Sequence, residues 1–177
     1  ILLSLVGSEM CIRDRNCSMK ILITGGNGNL ANSLKQYVDG DYYGKDMLDL
    51  TESNCIKNLN NYDFLIHTAT GSPKINDHLD LLFQKANKIF VFTSKQGTFL
   101  NWKKSGPINY GIEKLSLNFI TYRHNFIRHN AQIFEPGHME TKDDYDKIAL
   151  KFSKIYQDWK FTKNQIYDMV KDFYIPY

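Results

Sequence analysis

The chain reads as α/β: a doubly wound parallel sheet in three αβα layers, built by a single compact domain. Three observations lead there. Residues 19–31, MKILITGGNGNLA, pass from an apolar β-forming stretch through a glycine-rich turn into a helical pattern. The stretches YDFLIHT (62–68) and KIFVFT (88–93) are apolar almost throughout, as parallel strands covered on both faces are. Helical patterns separate these strands, and parallel pairing requires such crossovers, right-handed because of sheet twist.

In chain order, Ile21, Leu22 and Ile23 form the first strand, ending at Thr24, and Leu30, Leu34 and Val38 then recur at helical spacing. The turn needs glycine: Gly25 permits a sharp bend, Gly28 lets backbone approach a pyrophosphate, and small Ala31 allows close helix–strand packing. Spaced TGxxGxxA, this is the opening of a dinucleotide-binding βαβ unit, with Gly25, Asn27, Gly28, Asn29 and Leu30 as its expected binding residues. The helix start adds N–H groups and the positive end of its dipole.

Asp39-Gly40-Asp41 is turn chemistry, and residues 42–44 give a short second strand. In LDLTES, residues 48–50 make a brief strand edge, and Thr51 or Ser53 can cap a short helix running to Leu59, broken by Asn60 and Asn61. After the strand 62–68, residues 73–87 hold Leu79, Leu81, Leu82 and Phe83 in one compact helix before the strand 88–93. A loop with Gly97 and Gly106-Pro107 leads into a long helix from near Ile108. The strand 131–134 ends at Pro136-Gly137, and two helical segments follow, about 144–159 and 162–173, the second capped by Thr162. Residues 174–177 stand where a last strand would be.

A length of 177 residues accommodates one core and leaves no room for a separate substrate domain. The net charge of +3 is mild and the lysines are scattered, so no nucleic-acid footprint is present. No run approaches the roughly 20 apolar residues of a membrane span. Cys11, Cys17 and Cys55 have no metal-like spacing and are odd in number, which fits a reducing cytoplasm better than a disulfide framework. Residues 1–18 read as a non-native or disordered leader. Their string LSLVGSEMCIRDR resembles a translated adapter, and Met19 is the natural start of a domain spanning 19–177. The competing view is a short native extension packed on that domain.

The chemistry-bearing string is YGIEK, residues 110–114. On a helix, positions i and i+4 share a face, so the Tyr110 phenol and the Lys114 ammonium can enter one cleft. A free tyrosine, with a pKa near ~10, is a poor acid–base group at neutral pH. A neighbouring lysine is expected to favour the phenolate and make Tyr110 a usable general acid towards a carbonyl oxygen. The plain alternative is an exposed pair on an amphipathic helix.

TGGNGNLA after the first strand, Ser94 at the end of KIFVFTS, YGIEK opening the next helix, and a strand ending in Pro136-Gly137 with Thr141 shortly after together resemble the short-chain dehydrogenase/reductase family. The four motifs occur in the family's order and cover residues 19–141. The resemblance implies an NAD(P)-dependent oxidoreductase acting on a small carbonyl or alcohol substrate. Ser94 would orient the substrate oxygen and Tyr110 would give or take the proton. Lys114 would lower the Tyr110 pKa and hold the nicotinamide ribose. Pro136, Gly137 and Thr141 would line the nicotinamide side, and Thr68 and Ala69 the adenosine half. Lys45 at the tip of the second strand favours NADP, Asp46 beside it could reverse that choice to NAD, and Asp49 and Leu50 form the adenine-side pair. Family members often pair through the tyrosine helix, so a homodimer or tetramer is implied.

Of the five histidines, His67 fits a satisfied core or cleft position, His124 and His129 fall around the long helix's end, and His138 could touch the cofactor. None has metal-ligand spacing. The sequence departs from the family in its short segment between Gly71 and Ser94, where members carry a longer helix with a proton-relaying asparagine; Asn76 is the nearest candidate. Little chain follows Gly137 to cover a substrate. Two further readings stay open: a nucleotide-sugar reductase or epimerase of the extended type, suggested by TGxxGxxA and LDLT, and a non-catalytic dinucleotide-binding module.

Overall fold

Four residues of strand β1, Ile21–Thr24, organise the architecture because they are buried on both faces and pair with a strand on each side. The computed structural model describes residues 19–94, 108–136, 139 and 141–161. In them β1, β2 (Asp41–Tyr43), β3 (Tyr62–His67), β4 (Ala86–Phe92) and β5 (Ala131–Phe134) form one all-parallel sheet in the order β2-β1-β3-β4-β5.

Alternation along each strand splits the core in two. Ile21, Ile23, Phe64, Ile66, Phe90 and Phe92 face α1 (Asn29–Leu34) and α5 (Lys142–Phe161). Leu22, Leu65, Ile89 and Val91 face α2 (Ser53–Lys57), α3 (Leu79–Phe83) and α4 (Ile108–Arg128). The period of two in side-chain direction thus produces the three-layer, doubly wound fold expected from the sequence. On the α5 side, Phe152 is fully buried, with ring centroids 5.0 Å from Phe90, 4.9 Å from Phe92 and 5.8 Å from Phe134. Such offset and edge contacts add to plain area burial.

Several local expectations are corrected. Residues 48–50 form no strand: the Met47 and Leu48 N–H groups donate to the Gly44 carbonyl, and Asp49 Oδ1 accepts from the Thr51 N–H and hydroxyl at 2.9 and 2.6 Å. That local turn consumes the groups a ladder would need, although Leu48 and Leu50 are still buried. Neither Thr51 nor Ser53 caps α2, because the Thr51 hydroxyl is held by Asp49 and the N-cap is Glu52. The single helix expected over 73–87 is a 3-10 helix, Pro73–His78, followed by the five-residue α3, and Ala86 and Asn87 already belong to β4. The long helix ends with His129 at φ 54°, a left-handed closure after Arg128. The leader, Gly137, His138, the segment 162–173 and residues 174–177 lie outside the described residues.

Candidate active site

The strand order reverses between β1 and β3, so the connections leaving their carboxyl ends run to opposite faces of the sheet and leave a crevice where α/β folds bind ligands. A cavity of about 290 Å³ occupies it. Of the cofactor-binding residues expected from the sequence, Gly25, Asn27, Gly28, Lys45, Asp49, Leu50, Thr68 and Ala69 line this cavity. Gly25 has φ +73°, and a Cβ there would come within 2.8 Å of the Ala69 backbone, so only glycine lets the turn rest against the end of β3. The Gly26 N–H donates to the Tyr43 carbonyl and the Gly28 N–H to the Gly25 carbonyl, which fixes the turn.

Leu30 is buried in the core on the α1 side, so its side chain is committed to packing. Asn29 lies outside the cavity lining and can contribute only from the exposed start of α1. Asn27 Nδ2 donates to Asp46 Oδ1 at 3.0 Å, tying the turn to the loop after β2. Asp46 is thereby engaged by Asn27 and is not part of the cavity lining, whereas Lys45 is. Sequence reasoning missed the lining after β3, formed by Thr70, Gly71 and Ser72. The run TGS immediately after a buried strand was the available signal.

Beyond the crevice, at the ends of β4 and α4, Ser94, Tyr110 and Lys114 come together. The Ser94 hydroxyl and the half-buried Tyr110 phenol share a hydrogen bond. Lys114, only 1% exposed, sets its Nζ 5.4 Å from the centroid of the Tyr110 ring. The pair is therefore no exposed decoration of an amphipathic helix. The electrostatics differ from expectation, however. Burial raises the Tyr110 pKa, Glu113 and Tyr145 raise it further, and only the Ser94 hydrogen bond works the other way. Lys114 instead has its own pKa lowered to about 8 by burial, partly offset by Glu113. Desolvation outweighs the charge–charge effect on which the expected phenolate depended. In the protein alone Tyr110 is thus a protonated acid at neutral pH.

His67 is wholly buried. Its Nδ1 shares a 2.8 Å hydrogen bond with Thr24 Oγ1 while Nε2 has no partner among the described residues, so within them it is only half satisfied. Burial first, then the nearby Lys114, brings its pKa down to about 3. His124 packs edge-on against Phe83 and pairs with Asn130 Oδ1 at 3.1 Å, a structural role. Asn76 is buried, and its Nδ2 donates to the Glu113 carbonyl at 2.9 Å, so it joins the 3-10 helix to α4. Pro136 is buried just past β5. Thr141 is exposed and caps α5, its N–H donating to Asp144 Oδ2 at 3.0 Å while the Asp144 N–H donates to its hydroxyl at 3.3 Å. Among the described residues, no cluster of three or more His, Cys, Asp or Glu could hold a metal ion, and no helix is long and apolar enough to cross a membrane.

No protein-family model matches the sequence, and no curated protein sequence matches it. Solved structures do match in three dimensions. A carbonyl reductase from Pseudomonas aeruginosa PAO1 in complex with NADP superposes with a TM-score of 0.60 at 10% identity, over 79% of this chain and 91% of that one. An NADH-dependent reductase complexed with NAD gives 0.52 at 14% identity, over 76% and 87%. A GDP-L-fucose synthetase from Naegleria fowleri bound to NADP gives 0.56 at 16% identity, over 68% of this chain and 54% of that one. The chain therefore spans about half the length of the fucose synthetase it matches. At such identities the likeness speaks to fold alone, and it agrees with the sheet: this chain has a Rossmann-like α/β fold.

Proposed function

We propose that the protein is an NAD(P)-dependent oxidoreductase that interconverts a small carbonyl compound and its alcohol, with NADP preferred over NAD. The observation that carries this reading is the hydrogen-bonded Ser94–Tyr110 pair with Lys114 buried against the Tyr110 ring, next to the crevice at the β1–β3 reversal. The crevice fits the adenosine half of a dinucleotide: glycines crowd its floor, and a cation and a carboxylate, Lys45 and Asp49, stand at its rim. With Asp46 hydrogen-bonded to Asn27, Lys45 brings a cation to that rim, which supports the 2′-phosphate of NADP.

When bound, the nicotinamide gives or takes the hydride. Ser94 orients the substrate oxygen, Tyr110 donates its phenolic proton to that oxygen during reduction, and Lys114 holds positive charge beneath the ring as negative charge develops on the phenol. The high Tyr110 pKa of the protein alone suits an acid that must be protonated before reduction begins. A cytoplasmic setting belongs to this reading, supported by Cys55, a free and exposed thiol. So does self-association: Ile112, Leu115, Phe119, Tyr122 and Phe126 recur along α4 at heptad-like spacing and are exposed, Phe126 to 83%.

Turnover is measured through nicotinamide absorbance with NADPH or NADH and a panel of carbonyl compounds. Tyr110→Phe is expected to lose roughly 10²–10⁴-fold in turnover while retaining cofactor binding. Turnover that survives this substitution overturns the role of Tyr110, and cofactor binding without turnover on any substrate favours a non-catalytic dinucleotide-binding module. The likeness to the fucose synthetase favours one second reading, a nucleotide-sugar reductase or epimerase. Conversion of a nucleotide-sugar with no net cofactor consumption would select epimerisation.

A further inference from the structure

Glu113 is an acidic residue almost removed from water, 6% exposed, directly before Lys114 in α4. Adjacent positions on a helix diverge, yet Glu113 Oε1 reaches to 3.9 Å from Lys114 Nζ, with both side chains buried. The same oxygen accepts the Gly71 N–H at 3.3 Å, and the Glu113 carbonyl accepts Asn76 Nδ2 at 2.9 Å. Gly71 has φ +110° and lines the cavity at the β1–β3 reversal. One residue thus touches the cavity wall, the 3-10 helix and the lysine beneath Tyr110.

We propose that Glu113 is a positioning residue for Lys114: its buried carboxylate fixes the place and charge of the ammonium against the Tyr110 ring, and its bond to Gly71 links that setting to the cavity wall. The proposal rests on the oxidoreductase reading only for its catalytic consequence. Charge explains why a carboxylate is needed. Burial works against a protonated Lys114, and Glu113 is the group that works for it. From β3 the facing group is His67, neutral at working pH because burial keeps its pKa low, so it supplies no counter-charge. Tyr110 faces Lys114 from α4 itself and is in turn faced by Ser94 after β4 and Tyr145 of α5, which leaves Glu113 as the anionic partner among the described residues.

Glu113→Gln retains an oxygen for the Gly71 N–H and removes the charge. The Lys114 titration is followed by NMR of lysine-labelled protein without cofactor, with the signal assigned by Lys114→Met. The expected result is a fall in the Lys114 pKa of about one unit or more, with unchanged thermal midpoint. In the enzyme with cofactor, the alkaline limb of kcat/KM moves to lower pH by the same amount. A Lys114 titration identical in wild type and Glu113→Gln overturns the proposal. Should Glu113→Gln not fold, Glu113→Asp replaces it; its carboxylate is one methylene further from Nζ, so an intermediate fall supports the proposal and an unmoved titration overturns it. A moved titration in a protein without turnover sinks the oxidoreductase reading alone. Tyr110-dependent turnover with an unmoved titration sinks this proposal alone.

Discussion

Two glycine-to-alanine substitutions in one turn separate a phosphate cradle from a merely structural bend. Gly28 has φ −76° and ψ 159°, ordinary extended backbone, and a Cβ there would meet only the Gly25 carbonyl oxygen, at 3.1 Å. Gly28→Ala gains about 0.4–1 kcal/mol from the stiffer unfolded chain and loses a comparable amount at the N-cap of α1, so net stability changes by less than about 1 kcal/mol. In a domain of this size that is a shift of roughly 2–4 °C at most. A pyrophosphate seated over the turn would meet the new methyl. Losing one charge-assisted hydrogen bond costs about 1.5–3 kcal/mol, roughly 10- to 150-fold in Kd. Gly25→Ala behaves differently, because its Cβ would clash with Ala69 N and Cα at 2.8 Å from a φ of +73°. The left-handed backbone costs about 1–2 kcal/mol and the overpacking about 1–3 kcal/mol more, a Tm loss of roughly 5–15 °C. Thermal unfolding followed by circular dichroism and calorimetric titration with NADPH read both quantities on three proteins. A Gly28→Ala protein that melts and binds NADPH as wild type does would refute the cradle, and a Gly25→Ala protein that melts as wild type does would refute the steric argument.

Two other perturbations address the core. Phe152→Ala empties the junction of Phe90, Phe92, Phe134 and Tyr156 and should cost about 3–5 kcal/mol in urea unfolding; a loss under 1 kcal/mol would mean the aromatic layer is not tightly packed. His67 titrates near 6.5 when unfolded and about 3 when folded, so the unfolded chain binds more protons across that window. The stability tied to its neutral form is complete above the upper value and lost as pH falls towards the lower one, about 2–3 kcal/mol by roughly pH 4.5. His67→Gln should remove that share of the acid sensitivity, and parallel losses in wild type and variant between neutral and acidic pH would show that His67 is not its source.

What the sequence disclosed, and what it withheld, follows from the range of the interactions involved. β1, β3 and β4 were legible because burial on both faces leaves nearly unbroken apolar runs, whose ends the structure shifts by only a residue or two. The co-location of Tyr110 and Lys114 was legible because i and i+4 share a helix face whatever the fold. The state of that pair was not. It depends on how much of α4 is covered by the segment around Gly71 and Asn76 and by β3, a tertiary quantity that turns an expected phenolate into a protonated phenol. The cap that Thr141 makes on α5 is local: Asp144, three residues on, accepts its N–H and hydroxyl, and the [ST]-x-x-[DE] pattern was readable as a capping box.

The missing outer strand bears on the cofactor site. Without a strand at 48–50 the sheet ends at β2, and residues 44–52 are free to fold back as a loop over the crevice. Three ties hold that loop: the Gly44 carbonyl takes two N–H groups, Asp49 closes on Thr51, and Asp46 reaches the glycine-rich turn through Asn27. Leu48 and Leu50, which would have packed a strand edge, anchor the loop in the core instead. The rim that carries Lys45 and Asp49 is therefore set by short-range hydrogen bonds and two leucines rather than by a ladder. If the proposed function holds, the choice between the two dinucleotides rests on a loop that substitutions such as Asn27→Ala can loosen without disturbing the sheet beneath it.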